Sequence, residues 1–237
     1  MEGSVRKSTY TIIAALLLTA ALASTASAAA ASTHGNDVSS HNHTINWGRV
    51  AGRVSFVYAK ATEGTYYTNP DFTNQYEGPY RHGVIRGAYH FAIPNNSSGA
   101  AQANFFVRHG GGWSRDGQTL PGALDVEYNP YGRECYGLSQ RKMRGWIWDF
   151  VNQYARDTGV YPVLYTTFRW WRKCTGNASG FQNYDPLWIA CYCRTPGPLP
   201  AGYAFYTFWQ YADHGPLPGD QDVFNGPYSR LRALALG

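Results

Sequence analysis

Apolar and polar positions alternate with a period of two over a short stretch near the middle of the chain. Leu124 and Val126 alternate there with Asp125 and Glu127, and Pro130 closes the run. This period predicts a short β-strand in which residues i and i+2 project from one face. At a rise of about 3.3 Å per residue, the two carboxyl stems lie about 6.6 Å apart. We therefore predict a strand that carries two carboxylates on one face.

Further strand-like segments occur on both sides of this pair. They cover residues 35–40, 54–60, 84–91, 163–166, 187–193, 205–211 and 220–224. Helical patterns over 71–81, 98–107 and 139–157 separate the earlier strands, and Ser139 and Gly159 provide the caps of the longest one. The later strands have little helical pattern between them. This order predicts an α/β fold, a parallel, modified TIM-like β/α barrel with reduced helices in the C-terminal third.

Several polar residues fall at or near the ends of these predicted strands. They are Asp37, Lys60, Tyr89, Glu127 and Asp220. The strand over 54–60 is predicted to end there, with 62–64 as a loop. Because an α/β barrel places its chemistry at the C-terminal ends of its strands, we expect these five residues to meet at one rim.

The first residues have the pattern of a secretory signal peptide. Arg6 and Lys7 precede an apolar run over 12–18, and small residues lead to a cleavage position after Ala28. The run is too short to span a membrane. We therefore predict a signal peptide over 1–28, a secreted product and no membrane span.

The remaining residues, 29–237, have a length that suits one domain with a full core. Without the leader the balance is 18 basic to 14 acidic residues, which favours adsorption to an anionic surface such as a cell wall. The basic residues are scattered, so no nucleic-acid-binding stripe is predicted. The seven histidines show no metal-ligand spacing, and we predict no metal and no cofactor.

The paired carboxylates suggest glycosidic bond cleavage. In that reaction one carboxyl protonates the leaving oxygen, and the other responds to positive charge at the sugar carbon. The alternative is an exposed strand edge with two acids, since the pattern Asp-x-Glu is common. Eight Trp and nineteen Tyr are many for this length. They fit either a large core or a groove on which sugar rings stack, and composition does not distinguish the two.

Motifs spread along the chain resemble glycoside hydrolase family 25, the Chalaropsis-type lysozymes. In chain order they lie at 35–40, 45–47, 56–64, 87–91, 124–127, 208–211 and 222–226. They cover nearly all of the chain after the leader. The resemblance implies a modified β/α barrel that hydrolyses the β-1,4 bond from N-acetylmuramic acid to N-acetylglucosamine in bacterial peptidoglycan. We expect the protein to be a monomer.

The resemblance also implies roles for individual acids. Glu127 matches the general acid and Asp125 the second catalytic carboxylate. Asp125 either attacks the sugar carbon or directs the substrate's own N-acetyl oxygen to it, and both mechanisms stay open. Asp37 and an acid of the last strand match an outer pair that holds the N-acetyl group or water. Asp220 fits the position in the last strand better than Asp222.

Six residues are candidates for substrate binding: Lys60, Glu63, Tyr89, Tyr128, Trp188 and Trp209. Lys60 and Glu63 match the family's Lys-x-x-Glu-Gly loop, although both also suit a solvated strand end. Tyr89 and Trp209 are also compatible with a place in the core. His90 alternates with Tyr89 and is predicted to pack on the other side of its strand.

Four cysteines in an exported chain predict at least one disulfide, and three pairings are possible if all four are bonded. The resemblance implies a bond between Cys135 and Cys174. Cys191 and Cys193 are two residues apart on a predicted strand, which puts their Cβ atoms beyond the roughly 3.8 Å of a disulfide. We therefore expect no bond between them. Cys191 also departs from the family's Ala-Arg-Tyr at this position.

Two other classes of protein fit part of this pattern. One is a peptidoglycan-binding protein with the fold but without the chemistry, and the presence of every required acid argues against it. The other is a chitinase of the barrel type, which carries the motif Asp-x-x-Asp-x-Asp-x-Glu. The positions two and five before Asp125 are Ala123 and Leu120, so this motif is absent.

Overall fold

Eight β-strands close into a barrel. The computed structural model describes residues 1–3 and 33–237. The strands are β1 Thr33–Val38, β2 Phe56–Glu63, β3 Tyr67–Thr68, β4 Ile85–Phe91, β5 Ala123–Asp125, β6 Val163–Thr167, β7 Leu187–Ala190, β8 Phe208–Ala212 and β9 Asp220–Phe224. They pair in the order β1-β9-β8-β7-β6-β5-β4-β2, and the pairing of β1 with β2 closes the ring. The prediction of a TIM-like β/α barrel is confirmed.

The helices are concentrated in the first three quarters of the chain. They are α1 Trp47–Val50, α2 Phe72–Arg81, α3 Gly99–Phe106, α4 Gln140–Thr158, α5 Phe168–Thr175 and α6 Tyr228–Leu234. Short 3₁₀ turns lie at Ser40–Asn42, Ala51–Arg53 and Phe181–Asn183, and a π turn at Val107–Gly111 follows α3. The α4 caps are as predicted: the Ser139 side chain accepts from the Lys142 amide, and Gly159 is left-handed with φ 81°. In the described ranges no α-helix separates β7, β8 and β9, as the reduced pattern predicted.

The prediction that all strands are parallel is wrong for β9. This strand is antiparallel to both β8 and β1. Only residues 213–219 connect β8 to β9. A parallel crossover needs about a dozen residues or more, whereas an antiparallel return needs very few. The short connection therefore reverses the direction of the last strand.

The strand β2 is longer than predicted, because Thr62 and Glu63 belong to it rather than to a loop. β3 pairs with this extension, with Thr62 opposite Thr68 and Glu63 opposite Tyr67. A register shift between Lys60 and Thr62 marks a bulge against β4. Bulges redirect side chains next to active sites, and this one changes the direction of the strand just after Lys60.

Aromatic side chains fill the barrel interior beneath its open end. Phe56, Tyr58, Trp188 and Phe208 are almost completely buried. The ring centroids of Tyr58 and Trp188 are 4.8 Å apart, and those of Tyr58 and Phe208 are 5.6 Å apart in an edge-to-face arrangement. A second apolar layer lies between the barrel and the helices, where His90 packs as predicted against Phe106 and Phe150. Some of the many aromatic residues therefore form the hydrophobic core.

The expectation that Cys191 and Cys193 are unbonded is wrong. The two cysteines form a disulfide with a Cα–Cα distance of 5.2 Å, inside the range of about 4.4–6.8 Å that disulfides need. The reason is that β7 ends at Ala190 rather than at Cys193. Beyond it the Cys193 amide donates to the Cys191 carbonyl at 2.8 Å, so the backbone turns and brings the two side chains together.

Cys135 and Cys174 are also bonded, as the resemblance implies. Their Cα atoms are 5.3 Å apart, and 39 positions separate them in the chain. The bond joins the loop after β5 to the end of α5. The Trp170 indole supports the same junction by donating to the Glu134 carbonyl at 3.1 Å.

Removal of the Cys135–Cys174 bond is expected to destabilise the protein by about 4 kcal/mol, because a loop of about 40 residues regains its freedom in the unfolded chain. Chemical denaturation of the double variant Cys135→Ala/Cys174→Ala measures this. Cys191→Ala/Cys193→Ala is a matched control, since the same chain-entropy relation gives only about 1.6 kcal/mol for its three-residue loop. Equal losses in the two double variants would contradict the chain-entropy explanation.

The signal peptide predicted over 1–28 lies outside the described residues, apart from the first three. Among the helices of residues 33–237, none combines the length and the apolar character needed to cross a bilayer.

Candidate active site

The barrel opens at one end into a cavity of about 610 Å³. Every strand of the ring contributes to its wall. The contributing residues include Asp37, Lys60, Tyr89, Phe91, Asp125, Glu127, Tyr165, Trp188, Gln210 and Asp220. This is the end at which the parallel strands finish, the position of active sites in α/β barrels. All five residues that the sequence predicted to meet at one rim line this cavity.

Asp37 and Asp220 lie on neighbouring strands at the rim. Asp37 is the second-last residue of β1. It pairs directly with Asp220 across the β1–β9 pair. Because β9 runs in the opposite direction, its first residue lies at the same rim as the last residues of the other strands. Gly219 allows this approach. It has φ +72°, and a Cβ there would lie 2.0 Å from the Asp37 carbonyl oxygen.

Gln210 joins these two acids. Its amide nitrogen donates to Asp37 Oδ2 at 2.7 Å and to Asp220 Oδ2 at 3.0 Å. Its carbonyl oxygen accepts from the hydroxyls of Tyr165 at 2.9 Å and Tyr192 at 3.0 Å. With the two hydroxyls donating to the oxygen, the amide has one orientation, and both of its hydrogens point at carboxylates. The network therefore holds Asp37 and Asp220 together.

Asp125 and Glu127 both line the cavity, but not from one strand as predicted. β5 ends at Asp125. The alternation continues past that end, because the Val126 amide still donates to the Tyr165 carbonyl at 3.0 Å and the Val126 side chain is fully buried. Both carboxyls therefore face the cavity. Asp125 is almost completely buried, whereas Glu127 is partly exposed.

Burial gives these two carboxyls unusual acidities. It raises the pKa of Glu127 to about 7, and the negative charge of Asp220 adds to the shift. Burial and the charge of Glu127 raise the pKa of Asp125 well above its ordinary value. The positive charge of Lys60 opposes both shifts. Two carboxyls in such an environment do not both ionise easily, so the pair keeps its last proton to a higher pH than an isolated carboxyl does.

The outer acids are also perturbed. Burial and the charge of Asp220 raise the pKa of Asp37 to about 7, while burial and Asp213 raise that of Asp220 to about 6. Asp222 lies deeper on the same strand and does not line the cavity; its Oδ1 accepts from the Trp188 indole at 2.9 Å. Of the two acids that the sequence left open, Asp220 is the one at the cavity.

Lys60 and Glu63 form an ion pair at the edge of the cavity. Lys60 Nζ lies 2.6 Å from Glu63 Oε2 and 4.8 Å from the centroid of the Phe91 ring. Only Lys60 lines the cavity itself. Glu63 points away from it and also accepts from two tyrosines outside the cavity, Tyr66 and Tyr131. Residues three apart lie on opposite faces of a regular strand, so the pairing fits the register shift between Lys60 and Thr62.

The predicted aromatic residues divide into two groups. Tyr89 and Trp188 line the cavity, and the buried Trp188 ring lies at its floor. Trp209 alternates with Gln210 on β8 and therefore faces outward, where its indole donates to the Cys191 carbonyl at 2.9 Å. Tyr128 is exposed and does not line the cavity.

Sequence reasoning missed Gln210, Tyr165 and Tyr192. Gln210 did carry a usable signal, because it is a polar residue near the end of an otherwise aromatic strand and lies within a motif of the resemblance. Tyr165 follows two apolar residues on its strand and precedes two threonines, so its pattern does not single it out. Tyr192 carried no such signal, since its position depends on the turn that the Cys191–Cys193 bond closes.

The chain is similar to known glycosyl hydrolases over most of its length. The model of the family "Glycosyl hydrolases family 25" matches residues 36–220. Lysozyme M1 of Streptomyces globisporus is 48% identical over 207 residues, which are 85% of this chain and 70% of that protein. The N,O-diacetylmuramidase of a Chalaropsis species is 44% identical over 211 residues, which are 87% of this chain and 100% of that protein.

The fold agrees with these matches. The solved structure of a muramidase from Acremonium alcalophilum is 56% identical and superposes with a TM-score of 0.85, covering 86% of this chain and 99% of that one. Sequence motifs, barrel and cavity therefore lead to one assignment, and the resemblance inferred from the sequence is confirmed: the chain belongs to glycosyl hydrolase family 25 and is a glycoside hydrolase.

Proposed function

We propose that the protein is a lysozyme that hydrolyses the β-1,4 bond between N-acetylmuramic acid and N-acetylglucosamine in bacterial peptidoglycan. The observation that carries the proposal is the pair Asp125 and Glu127, which share one cavity wall and have raised pKa values. The names of the relatives, lysozyme and muramidase, support the same substrate.

Glu127 acts as the general acid. It is the more exposed of the two carboxyls and therefore the one that can reach the leaving oxygen. It donates its proton to the glycosidic oxygen as the bond from that oxygen to the sugar carbon breaks. The sugar carbon then bonds to an oxygen, either that of Asp125 or that of the substrate's N-acetyl group. Water displaces this bond, and its proton returns to Glu127.

Asp37 and Asp220 hold the N-acetyl group or the attacking water from the opposite wall. Gln210 keeps them in place and provides two hydrogen-bond donors that partly balance their charge. Lys60, Tyr89 and Trp188 contact the sugar from the remaining walls. Glu63, Tyr128 and Trp209 lie outside this cavity, and their proposed role in substrate binding is indirect or concerns other parts of the polymer.

Residues 29–237 form one catalytic domain in this proposal, and the leader over 1–28 directs its secretion. The positive balance of charge supports adsorption to the anionic bacterial wall. We also propose that the protein acts as a monomer; one chain supplies all the proposed catalytic acids, so the site needs no second copy to complete it.

The test is the identity of the bond that is cut. Purified peptidoglycan and chitin are incubated with the protein, and the new reducing ends are identified by mass spectrometry. We expect reducing-end muramic acid from peptidoglycan. Reducing-end glucosamine would overturn the proposal.

The pH dependence tests the acid. Since Glu127 must be protonated and its pKa is about 7, initial rates of wall hydrolysis should fall as the pH rises through about 7. Asp220→Asn removes a negative charge that raises this pKa, so the falling limb of its residual activity should move to lower pH. Asp37 also has a pKa of about 7. Asp37→Asn is therefore the control. If the rate of this variant no longer falls as the pH rises, the fall in the parent protein is due to Asp37 rather than to Glu127.

A further inference from the structure

A second cavity, of about 440 Å³, lies outside the barrel rim. Its lining residues are Tyr66, Ile93, Asn95, Asn96, Asn129, Tyr131, Gly132, Arg133, Tyr136 and Gly137. They come from the loops that follow β2, β4 and β5, the strands that carry Lys60, Tyr89 and Asp125. None of these residues lines the first cavity, and the mechanism above uses none of them.

The two cavities are neighbours joined by Glu63. One oxygen of Glu63 contacts Lys60, which lines the first cavity, at 2.6 Å. The other accepts from the hydroxyls of Tyr66 at 3.1 Å and Tyr131 at 2.6 Å, which line the second. Tyr136 lines the second cavity, and burial together with the charges of Asp125 and Glu127 raises its pKa. The second cavity therefore lies on the side of the first that Lys60 borders.

Tyr66 and Tyr131 present large aromatic faces to solvent. Their exposed fractions are 58% and 68%. Such exposure of anchored rings is typical of binding surfaces rather than of a core. Burial raises the pKa of Glu63, but hydrogen bonds from Lys60 and Tyr131 hold it below its ordinary value overall, so the anchor is an ionised and strong acceptor. Rings fixed in advance lose little freedom when a ligand binds.

The polar groups of this cavity suit a neutral, hydroxyl-rich ligand. Asn95, Asn96 and Asn129 provide side-chain amides. Asn96 already accepts from the Thr65 hydroxyl and Asn129 bonds to the backbone of its own loop, but an amide can make up to four hydrogen bonds, so each keeps capacity for a ligand. The Tyr136 residue is only 5% exposed, and its hydroxyl has no hydrogen-bond partner. Burying a hydroxyl without a hydrogen-bond partner costs free energy, so a ligand group that bonds to it would bind favourably. Within the described residues, the lining contains no carboxylate and one cation, Arg133, in contrast to the acidic first cavity.

We propose that this second cavity binds a further sugar residue of the glycan chain that is cut in the first. The C–H face of the sugar stacks on Tyr66 and Tyr131, and its hydroxyl and N-acetyl groups bond to the asparagines and Tyr136. The inference rests on the proposed function, since it takes the glycan to be the substrate. It adds that affinity depends on a chain long enough to reach from one cavity to the other.

The test is binding of glycan strands of defined length, freed of their stem peptides, to the Glu127→Gln protein, measured by calorimetry. We expect the affinity to rise when the strands become long enough to reach the second cavity. Adding Tyr131→Ala should weaken binding of these longer strands about three- to tenfold, as expected for the loss of one aromatic contact. Tyr228→Ala is the matched control, because Tyr228 is also an exposed tyrosine, at 45%, and lies at the start of α6.

Tyr131→Phe separates the ring from its anchor. It keeps the stacking face and loses only the bond to Glu63, so it should weaken binding less than Tyr131→Ala. Equal losses in these two variants, or no difference between Tyr131→Ala and Tyr228→Ala at any length, would overturn the inference. A rise in affinity seen only with strands that carry stem peptides would also overturn it, because the contact would then be between Arg133 and the peptide. If strands of every length fail to bind and the parent protein cuts none, the proposed function fails as well.

Discussion

Glu127→Gln is expected to lower the hydrolysis of peptidoglycan by about 10²–10⁴-fold or more, the usual contribution of general acid–base catalysis. Glutamine preserves the size and the hydrogen-bonding capacity of the side chain but has no proton to give to the leaving oxygen. Binding should persist, because Asp37, Lys60 and Trp188 still line the cavity. The variant should therefore sediment with cell walls and no longer clear them. Turbidity and co-sedimentation measure the two properties.

A substrate with a leaving group that needs no protonation provides the control for this interpretation. Glu127→Gln should cleave such an activated glycoside at a rate near that of the parent protein in the bond-breaking step. If the variant clears cell walls at close to the normal rate, the acid lies elsewhere and the assignment of Glu127 is wrong.

Asp125→Asn is expected to reduce hydrolysis by about 10²–10³-fold, the scale of removing one group that stabilises charge in the transition state. Its role is at the sugar carbon, where positive charge develops, so an activated leaving group should not restore the rate. Steady-state rates on peptidoglycan and on the activated glycoside, compared with those of Glu127→Gln, measure this difference. Equal rescue of both variants would contradict the separation of the two roles.

Asp185→Asn is a matched control for Asp125→Asn. Asp185 is also buried, and burial alone raises its pKa well above its ordinary value, but it lies outside the first cavity. Its removal should leave the activity per folded molecule unchanged. A loss like that of Asp125→Asn would mean that the effect of either substitution arises from the removal of a buried acid rather than from chemistry.

Mass spectrometry separates the two mechanisms that remain open for Asp125. When Glu127→Gln is mixed with the activated glycoside, direct attack leaves the sugar attached to the protein. Water displaces it only slowly, because the carboxylate that would take the proton from that water is absent. Substrate assistance instead forms the new bond within the sugar, and no mass is added to the protein.

The sequence alone was sufficient to predict the barrel and to place most of the acidic residues of its cavity. Strands with an alternating or apolar pattern, separated by helical patterns, predict the β/α order, and in that order the strand ends lie at one rim. Asp37, Lys60 and Glu127 could therefore be placed at one cavity from local pattern alone. The family motifs then supplied the chemistry that spacing by itself leaves open.

The local pattern did not correctly predict the ends of β2 and β7 or the direction of β9. The strand β2 extends to Glu63 because β3 pairs with it, and β9 reverses because residues 213–219 are too few for a crossover. Likewise β7 ends at Ala190, which allows Cys191 and Cys193 to turn and form a bond. These outcomes depend on neighbouring elements, which a periodicity does not report.

Contacts between residues far apart in the chain were decided by the tertiary structure alone. Asp220 and Asp222 project from the same face of β9, so the alternation is identical for both. What separates them is depth along the strand, and depth follows from the pairing of Asp37 with Asp220 across β1 and β9. Gln210 bonds to Asp37 across 173 positions. A sequence pattern specifies the face on which a side chain lies, whereas its partner and its distance from the rim are set only when the strands close into the barrel.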